Sequence, residues 1–327
     1  MKRKFVTEYA YGYMNSLTFM TPAHQLLGDN KVSPAQEEQL AKCNIYIIAM
    51  RPTPYFDPST LKHENNIFSG TLCYKVDGEE RRVEVNNYYW KIDKGATIEC
   101  SYPHREVIYR LSNGTVGEYY LPATILACQY DHEDNTLNDY EVLYVGQAIG
   151  NKANRSAFDR LKSHSTFQKI LALTAQEYPD NEIVVFMYEF ENGQVFSSMD
   201  GMAKDANNTQ ENERRLFNAV SNPPNKKQKI GLIEAGLIRY FEPKYNEIFK
   251  TKFPSSKHKV LQSCRDLDAT GLIVELDSSD LRCRLFSPSV VAKEHHIANF
   301  DLVSQEKRMS FFNSTRFTSL PNVISGS

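Results

Sequence analysis

Glu141-Val142-Leu143-Tyr144-Val145-Gly146-Gln147-Ala148 is the stretch on which the reading of this chain turns. It is short, apolar and rich in residues that favour strands. Tyr144 and Gly146 stand at its end. A glycine there lets a backbone or a substrate approach closely, and a tyrosine hydroxyl can hydrogen-bond a reacting oxygen. An ordinary buried tyrosine and a turn glycine would give the same letters.

Working outward, Ala123 to Tyr130 (ATILACQY) reads as an apolar strand, joined to the first by the polar loop DHEDNTLND. The two form a predicted hairpin. Ser156 to Gln176 reads as a helix, apolar at Phe158, Leu161, Phe167, Ile170, Leu171 and Leu173, and Pro179-Asp180-Asn181 ends it. EIVVFMYEF is a third strand, apolar enough to be buried on both faces. Residues 191–229 are polar, with a short helix in TQENERRLFNAV. A helix from Gln228 to Phe241 follows and stops at Pro243. The order β-β-α-β-(α)-α predicts an α/β (α+β) domain over 119–250, a three-stranded sheet with helices packed on it.

Both flanks read as β-rich. In 1–118 a helix is expected from Pro34 to Lys42, with Ser33 as N-cap and Glu37 in the capping box. The strand NIYIIAM comes next, and Arg51-Pro52-Thr53-Pro54 breaks it. Between Asn66 and Leu121 alternating runs are split by Asp77-Gly78, a hairpin turn, and by Ser112-Asn113-Gly114. Segment 251–327 returns to strands in GLIVELD, LRCRLFS, ANFDLVS and RMSFFN.

Three side-chain groups carry the chemistry. Glu234 stands four residues after Ile230 and three and four before Leu237 and Ile238, so it lies on the apolar helix face. A carboxylate there needs an arginine, a backbone donor or a metal. Arg160 and His164 are spaced i, i+4 and project from one helix face. Arginine forks onto phosphate and histidine moves protons near neutral pH, although an exposed polar face gives the same spacing. Lys226, Lys227 and Lys229 form the most basic local run, either a solvated helix start or a phosphate contact. His295-His296 reads as a surface loop rather than a metal pair.

The whole composition narrows the class. The 327 residues are 41% hydrophobic and 24% charged, as in globular chains. There is no apolar run of 18 residues and no apolar leader after MKRK, so neither a membrane helix nor a signal peptide is expected. Six scattered cysteines without a CxxC pair read as free thiols of a cytoplasmic protein. Net charge is −2; the three segments hold 14 basic against 14 acidic, 14 against 18, and 10 against 8 residues. No segment is a basic domain, so contact with a polyanion would rest on local patches. GxSxG, P-loop and GxGxxG patterns are absent.

Taken in order, Tyr144-Val145-Gly146, Arg160 with His164, Glu234, and Asn246 in PKYN resemble the GIY-YIG nuclease superfamily, over about 130 of the 327 residues. The YVGQA form and the long loop look most like its restriction-endonuclease branch. The resemblance implies a metal-dependent endonuclease that hydrolyses DNA, most simply double-stranded, of restriction or phage-defence type. It implies Mg²⁺ or Mn²⁺ on Glu234, Arg160 against phosphoryl charge, Tyr144 and His164 at the reaction, and Gly146 and Asn246 in support. Lys152 and Arg155 join the three lysines as DNA contacts, and a homodimer is compatible. The first family motif aligns on Thr124-Ile125-Leu126, which puts Leu126 where a tyrosine is expected. Tyr130 or Tyr144 then has to take its place. The alternative is a catalytically impaired nucleic-acid-binding or regulatory protein of the same fold; RNA as substrate stays open.

Overall fold

The computed structural model describes residues 5–27, 33–117, 119–129, 135–147, 161, 165–191, 193–199, 206–246 and 269–301. The chain begins with β1 (Thr7–Pro22), α1 (Ala23–Leu27), α2 (Pro34–Leu40) and β2 (Ile45–Pro52). There follow β3 (Tyr55–Phe56), β4 (Lys62–Glu64), β5 (Ile67–Val76), β6 (Glu79–Tyr89), β7 (Thr97–Glu99), β8 (Glu106–Arg110) and β9 (Leu121–Pro122). Next come α3 (Ala123–Gln129), β10 (Asp139–Gln147), α4 (Ser165–Glu177), β11 (Asn181–Phe190), β12 (Gln194–Met199), α5 (Gln210–Ser221) and α6 (Lys226–Phe241). The last elements are β13 (Gly271–Asp277), β14 (Arg284–Ser287), β15 (Val290–Lys293) and β16 (His295–Asp301).

The architecture is mixed α/β. The expected central three-stranded sheet is not a separate unit. A nine-stranded mixed sheet runs β15-β14-β10-β2-β11-β1-β13-β16, with β12 also on β1. Strands from both flanking segments, β1 and β2 on one side and β13 to β16 on the other, thus share a sheet with β10 and β11. β1 is long enough to serve twice. Its first half pairs with β12 and β13; after an irregularity between Asn15 and Leu17 its second half pairs with β11.

β2 shows how the sequence buries this sheet. Alternate residues point to opposite faces. Ile45, Ile47 and Ala49 enter a core with Phe186 and with Ile230, Ile233 and Leu237 of α6. Tyr46, Ile48 and Met50 enter a second core with Val185, Met187 and Phe167 and Ile170 of α4. Each isoleucine, valine, leucine, methionine or phenylalanine among them contributes about 1.5–3 kcal/mol on burial. α2 is capped by Ser33 with Gln36, one residue before the expected Glu37, because the capping-box partner must reach back from the third helical position.

Residues between β2 and β10 build a third core around Phe56, Phe68, Trp90, Tyr109 and Leu126. The Asp77-Gly78 hairpin turn is as expected, with both residues at positive φ. ATILACQY is not a strand: α3 covers Ala123–Gln129. Ala123, Leu126 and Ala127 sit one helical turn apart and are buried together. A short apolar run does not distinguish the two periods, and Pro122 just before it suits a helix start. The predicted hairpin therefore does not form. The partners of β10 are β2 and β14.

His295-His296 is also corrected. Both lie in β16, so their side chains point to opposite faces. His295 reaches Glu275 at 2.7 Å. His296 is buried; its Nε2 donates to the Leu285 and Lys293 carbonyls, both at 3.0 Å, and its Nδ1 accepts from the Tyr240 hydroxyl at 3.2 Å. No helix among the described residues is long and apolar enough to cross a membrane.

Arg51, at the end of β2, has no exposed side-chain surface and binds Glu182 of β11 through Nε at 3.0 Å. Its other nitrogens donate to the Thr124 carbonyl at 2.8 Å and the Leu137 carbonyl at 2.5 Å. Removing one partner of a buried pair strands the other charge, at a cost of about 3–5 kcal/mol. Glu182→Ala should therefore lose that much in urea unfolding; a loss under about 1 kcal/mol would show that the pair contributes little. A second expectation concerns pH. Burial holds His296 at about 4, below its ordinary 6.5. Below 6.5 the unfolded chain takes up the proton first, so stability is full above 6.5 and falls by roughly 3 kcal/mol as pH drops to about 4. His296→Gln should flatten the urea midpoint across that window, and an unchanged slope would assign it to other groups.

Candidate active site

Antiparallel pairing of β2 with β10 places Gly146 opposite Tyr46 and Val145 opposite Ile47. An irregularity between Val142 and Tyr144 lets Leu143 and Tyr144 both join the α4 face. Tyr144 then lies beside Tyr46 across the strands, ring centroids 6.1 Å apart and planes inclined by 29°. Gly146 is what allows this. A Cβ there would stand 2.5 Å from both Cζ and the hydroxyl oxygen of Tyr46, and 2.7 Å from Cε1 of Tyr144. The absence of a side chain at 146 makes room for the Tyr46 hydroxyl directly over the strand.

Asn246 locks the same strand from its outer edge. It is buried, and its amide straddles one residue: Oδ1 accepts from Val145 N at 2.7 Å and Nδ2 donates to Val145 O at 2.8 Å. Tyr245 N adds a bond to Leu143 O at 3.1 Å. β14 covers only Asp139 to Glu141 of that edge. The turn after α6 covers the rest, as a strand would. Local chemistry puts it there. Asn225 and Gln228 cap the start of α6 in a reciprocal box, two residues before the expected start. Glu242 ends the helix in the left-handed region at φ 47°. Pro243 then bars a further turn.

Glu234 lies midway along α6 and is half-buried, between buried Ile233 and Ala235. Of the lysines, Lys226 and Lys227 are exposed. Lys229 is engaged: its ammonium donates to the Phe190 and Glu191 carbonyls at 3.1 and 3.0 Å, and burial lowers its pKa. Arg160, His164, Tyr130, Lys152 and Arg155 lie outside the described residues. Among the described residues no three His, Cys, Asp or Glu side chains converge on a point. One half-buried carboxylate still suits magnesium, which keeps several waters and takes one or two carboxylates beside substrate phosphate.

Tyr46 is not legible from the sequence as the partner of this strand: NIYIIAM reads as a strand, but it lies far upstream, and the apolar run just before Tyr144 looks like the nearer partner. Leu126, which that nearer run would put in the first motif, is instead fully buried in the third core. The usable signal was Asn44-Ile45-Tyr46 at the start of an apolar strand.

Gly146→Ala should destabilise the fold by about 1–3 kcal/mol through overpacking. Because the clash is chiefly with Tyr46, the cost should shrink in a Tyr46→Ala background. A double-mutant cycle read by urea unfolding should give a coupling of at least about 1 kcal/mol, and additive losses would show that the two positions do not meet. No family model, curated protein or solved structure matches this chain.

Proposed function

We propose that the chain is a metal-dependent endonuclease of the GIY-YIG type that hydrolyses DNA phosphodiester bonds in restriction or phage defence. The observation that carries this reading is the register of β2 on β10, with Tyr46 over Gly146 and Asn246 clasping Val145. The resemblance asks for a tyrosine on the strand that pairs with Tyr144-Val145-Gly146. Tyr46, in Asn44-Ile45-Tyr46, answers to it, so neither Tyr130 nor Leu126 has to. The segment from Thr53 to Asn138 is then an insertion between the two motif strands, built around its own core. Such an insertion is well placed to choose the target while the strands do the chemistry.

In this reading the Tyr46 hydroxyl, beside Tyr144, places and deprotonates the attacking water. Arg160 neutralises charge on the phosphoryl oxygens, and His164 handles a proton. Glu234 would hold Mg²⁺ or Mn²⁺, which supplies polarisation of the phosphate when bound. A second reading, a binding protein on the same fold, draws on the net charge of −2.

The test is incubation with plasmid DNA, with and without Mg²⁺. Wild type should cut only with the metal. Tyr46→Phe should lower the rate about 10²–10⁴-fold, as expected for loss of an acid–base group, and Glu234→Ala should abolish cutting with an unchanged unfolding midpoint. Full cutting by Tyr46→Phe would remove it from the site. Binding without cutting by wild type would select the second reading.

A further inference from the structure

A cavity of about 800 Å³ opens at the end of the sheet where β2 begins. It runs around the strand ends, so its lining comes from both faces. Lys42, Asn44 and Glu189 contribute from one side, and Tyr11, Tyr13, Lys226 and Lys229 from the other. Asn44 is two residues before Tyr46, about 7 Å along an extended strand at ~3.3 Å per residue. The cavity therefore adjoins the candidate site, since Gln147 pairs with Ile45 at the same end.

Its charged groups are not equivalent. Lys229 is held by two backbone carbonyls. Lys42, just past α2, and Lys226, in the first turn of α6, are exposed, and their elements lie far apart in sequence. The fold brings these two lysines to the lining of one cavity. Tyr11 and Tyr13 are 1% and 3% exposed, so the lining they give is fixed by the core behind them. Glu189 and Glu191 also line the space, so its charge suits one bridged phosphate and not a run of them.

We propose that this cavity is a second phosphate site, in which Lys42 and Lys226 grip the nucleic-acid backbone next to the bond cleaved at Tyr46. The inference rests on the nuclease reading for what enters the cavity, but its own test reads binding alone. The lysines act through charge and contact no base. They set the register of the strand across Tyr46 and leave sequence choice to other parts of the chain.

The experiment is fluorescence anisotropy of the full chain on a labelled DNA duplex across a salt series, with EDTA present. Each phosphate contact steepens the dependence of log affinity on log salt by ~0.9. Lys42→Ala/Lys226→Ala should flatten the slope by about 0.9, the contribution of the one bridged phosphate, equally for unrelated duplex sequences. Lys42→Arg/Lys226→Arg should keep the wild-type slope, and Lys293→Ala, an exposed lysine of β15 away from the cavity lining, should leave it unchanged. An unaltered slope in the alanine pair, or an equal loss from Lys293→Ala, overturns the proposal. If the wild type meanwhile cuts DNA with Mg²⁺, the nuclease reading survives that failure. If the slope falls as expected but wild type never cuts, the phosphate site stands and the nuclease reading fails.

Discussion

The structure depends on the buried guanidinium of Arg51. Burial works against its charge, and the groups around it outweigh that cost: Tyr140, whose ring lies 4.9 Å from the guanidinium carbon, Cys128 at 3.5 Å from Nη1, and Glu182. These partners come from different parts of the chain. Glu182 is on β11, Thr124 and Cys128 on α3, Leu137 in the turn before β10, and Tyr140 on β10 itself. Thr124 closes the ring by donating to the Glu182 carboxylate. A hydrogen bond from Cys283 helps hold the Cys128 thiol below its ordinary range, while Cys283 itself is pushed up by that same bond and by burial. Arg51 thus binds the point where the chain leaves the sheet after β2 and the point where it returns to make β10.

That matters because the register of β10 on β2 is not set by a turn. A hairpin with a short loop fixes its own pairing, whereas here a folded insertion separates the strands. A slip of one residue would send each side chain of β10 to the wrong face. Arg51 holds the far end of the pair and the two cores hold its faces. The irregularity at Val142/Tyr144 then shifts the last residues so that Gly146 meets Tyr46. A buried ionic cluster costs desolvation that a hydrophobic one would not, and in this fold the Arg51 donors are met by one carboxylate and two backbone carbonyls.

The parts of the site that were legible in the sequence are those made by neighbours along the chain. Glu234 declares itself by its spacing from Ile230 and Leu237, Pro243 ends its helix, and the segment carrying Asn246 follows at once. Tyr46 was illegible for the opposite reason: its partner strand is remote, and a nearer apolar run stood ready to be mistaken for it. ATILACQY carries β-branched residues and no polar break, yet Ala123, Leu126 and Ala127 find burial only at helical spacing. The double role of β1 was equally hidden. TEYAYGYMNSLTFMTP has no single alternating face, because its two halves pair with different strands. The burial of His296 is not legible in the sequence, because its partners, Leu285, Lys293 and Tyr240, are supplied by tertiary packing alone.

The outer edge of β10 shows why α6 and the strand act as one piece. An edge strand presents unpaired amide and carbonyl groups that need covering. β14 stops at Glu141, and the next groups along the edge, Leu143 O and both polar atoms of Val145, are taken by Tyr245 and Asn246. An asparagine amide can satisfy an N–H and a C=O of one residue together, which neither an aspartate nor a leucine can do. Because these residues directly follow the C-terminus of α6, the helix carrying Glu234 is tied to the strand carrying Tyr144 and Gly146 by short hydrogen bonds as well as by packing. Any displacement of the end of α6 away from β10 must then break a buried pair of bonds. The tie runs through the edge of the sheet, since α6 packs on the face of Ile45 and Ile47 while Tyr46 and Tyr144 lie on the face of α4.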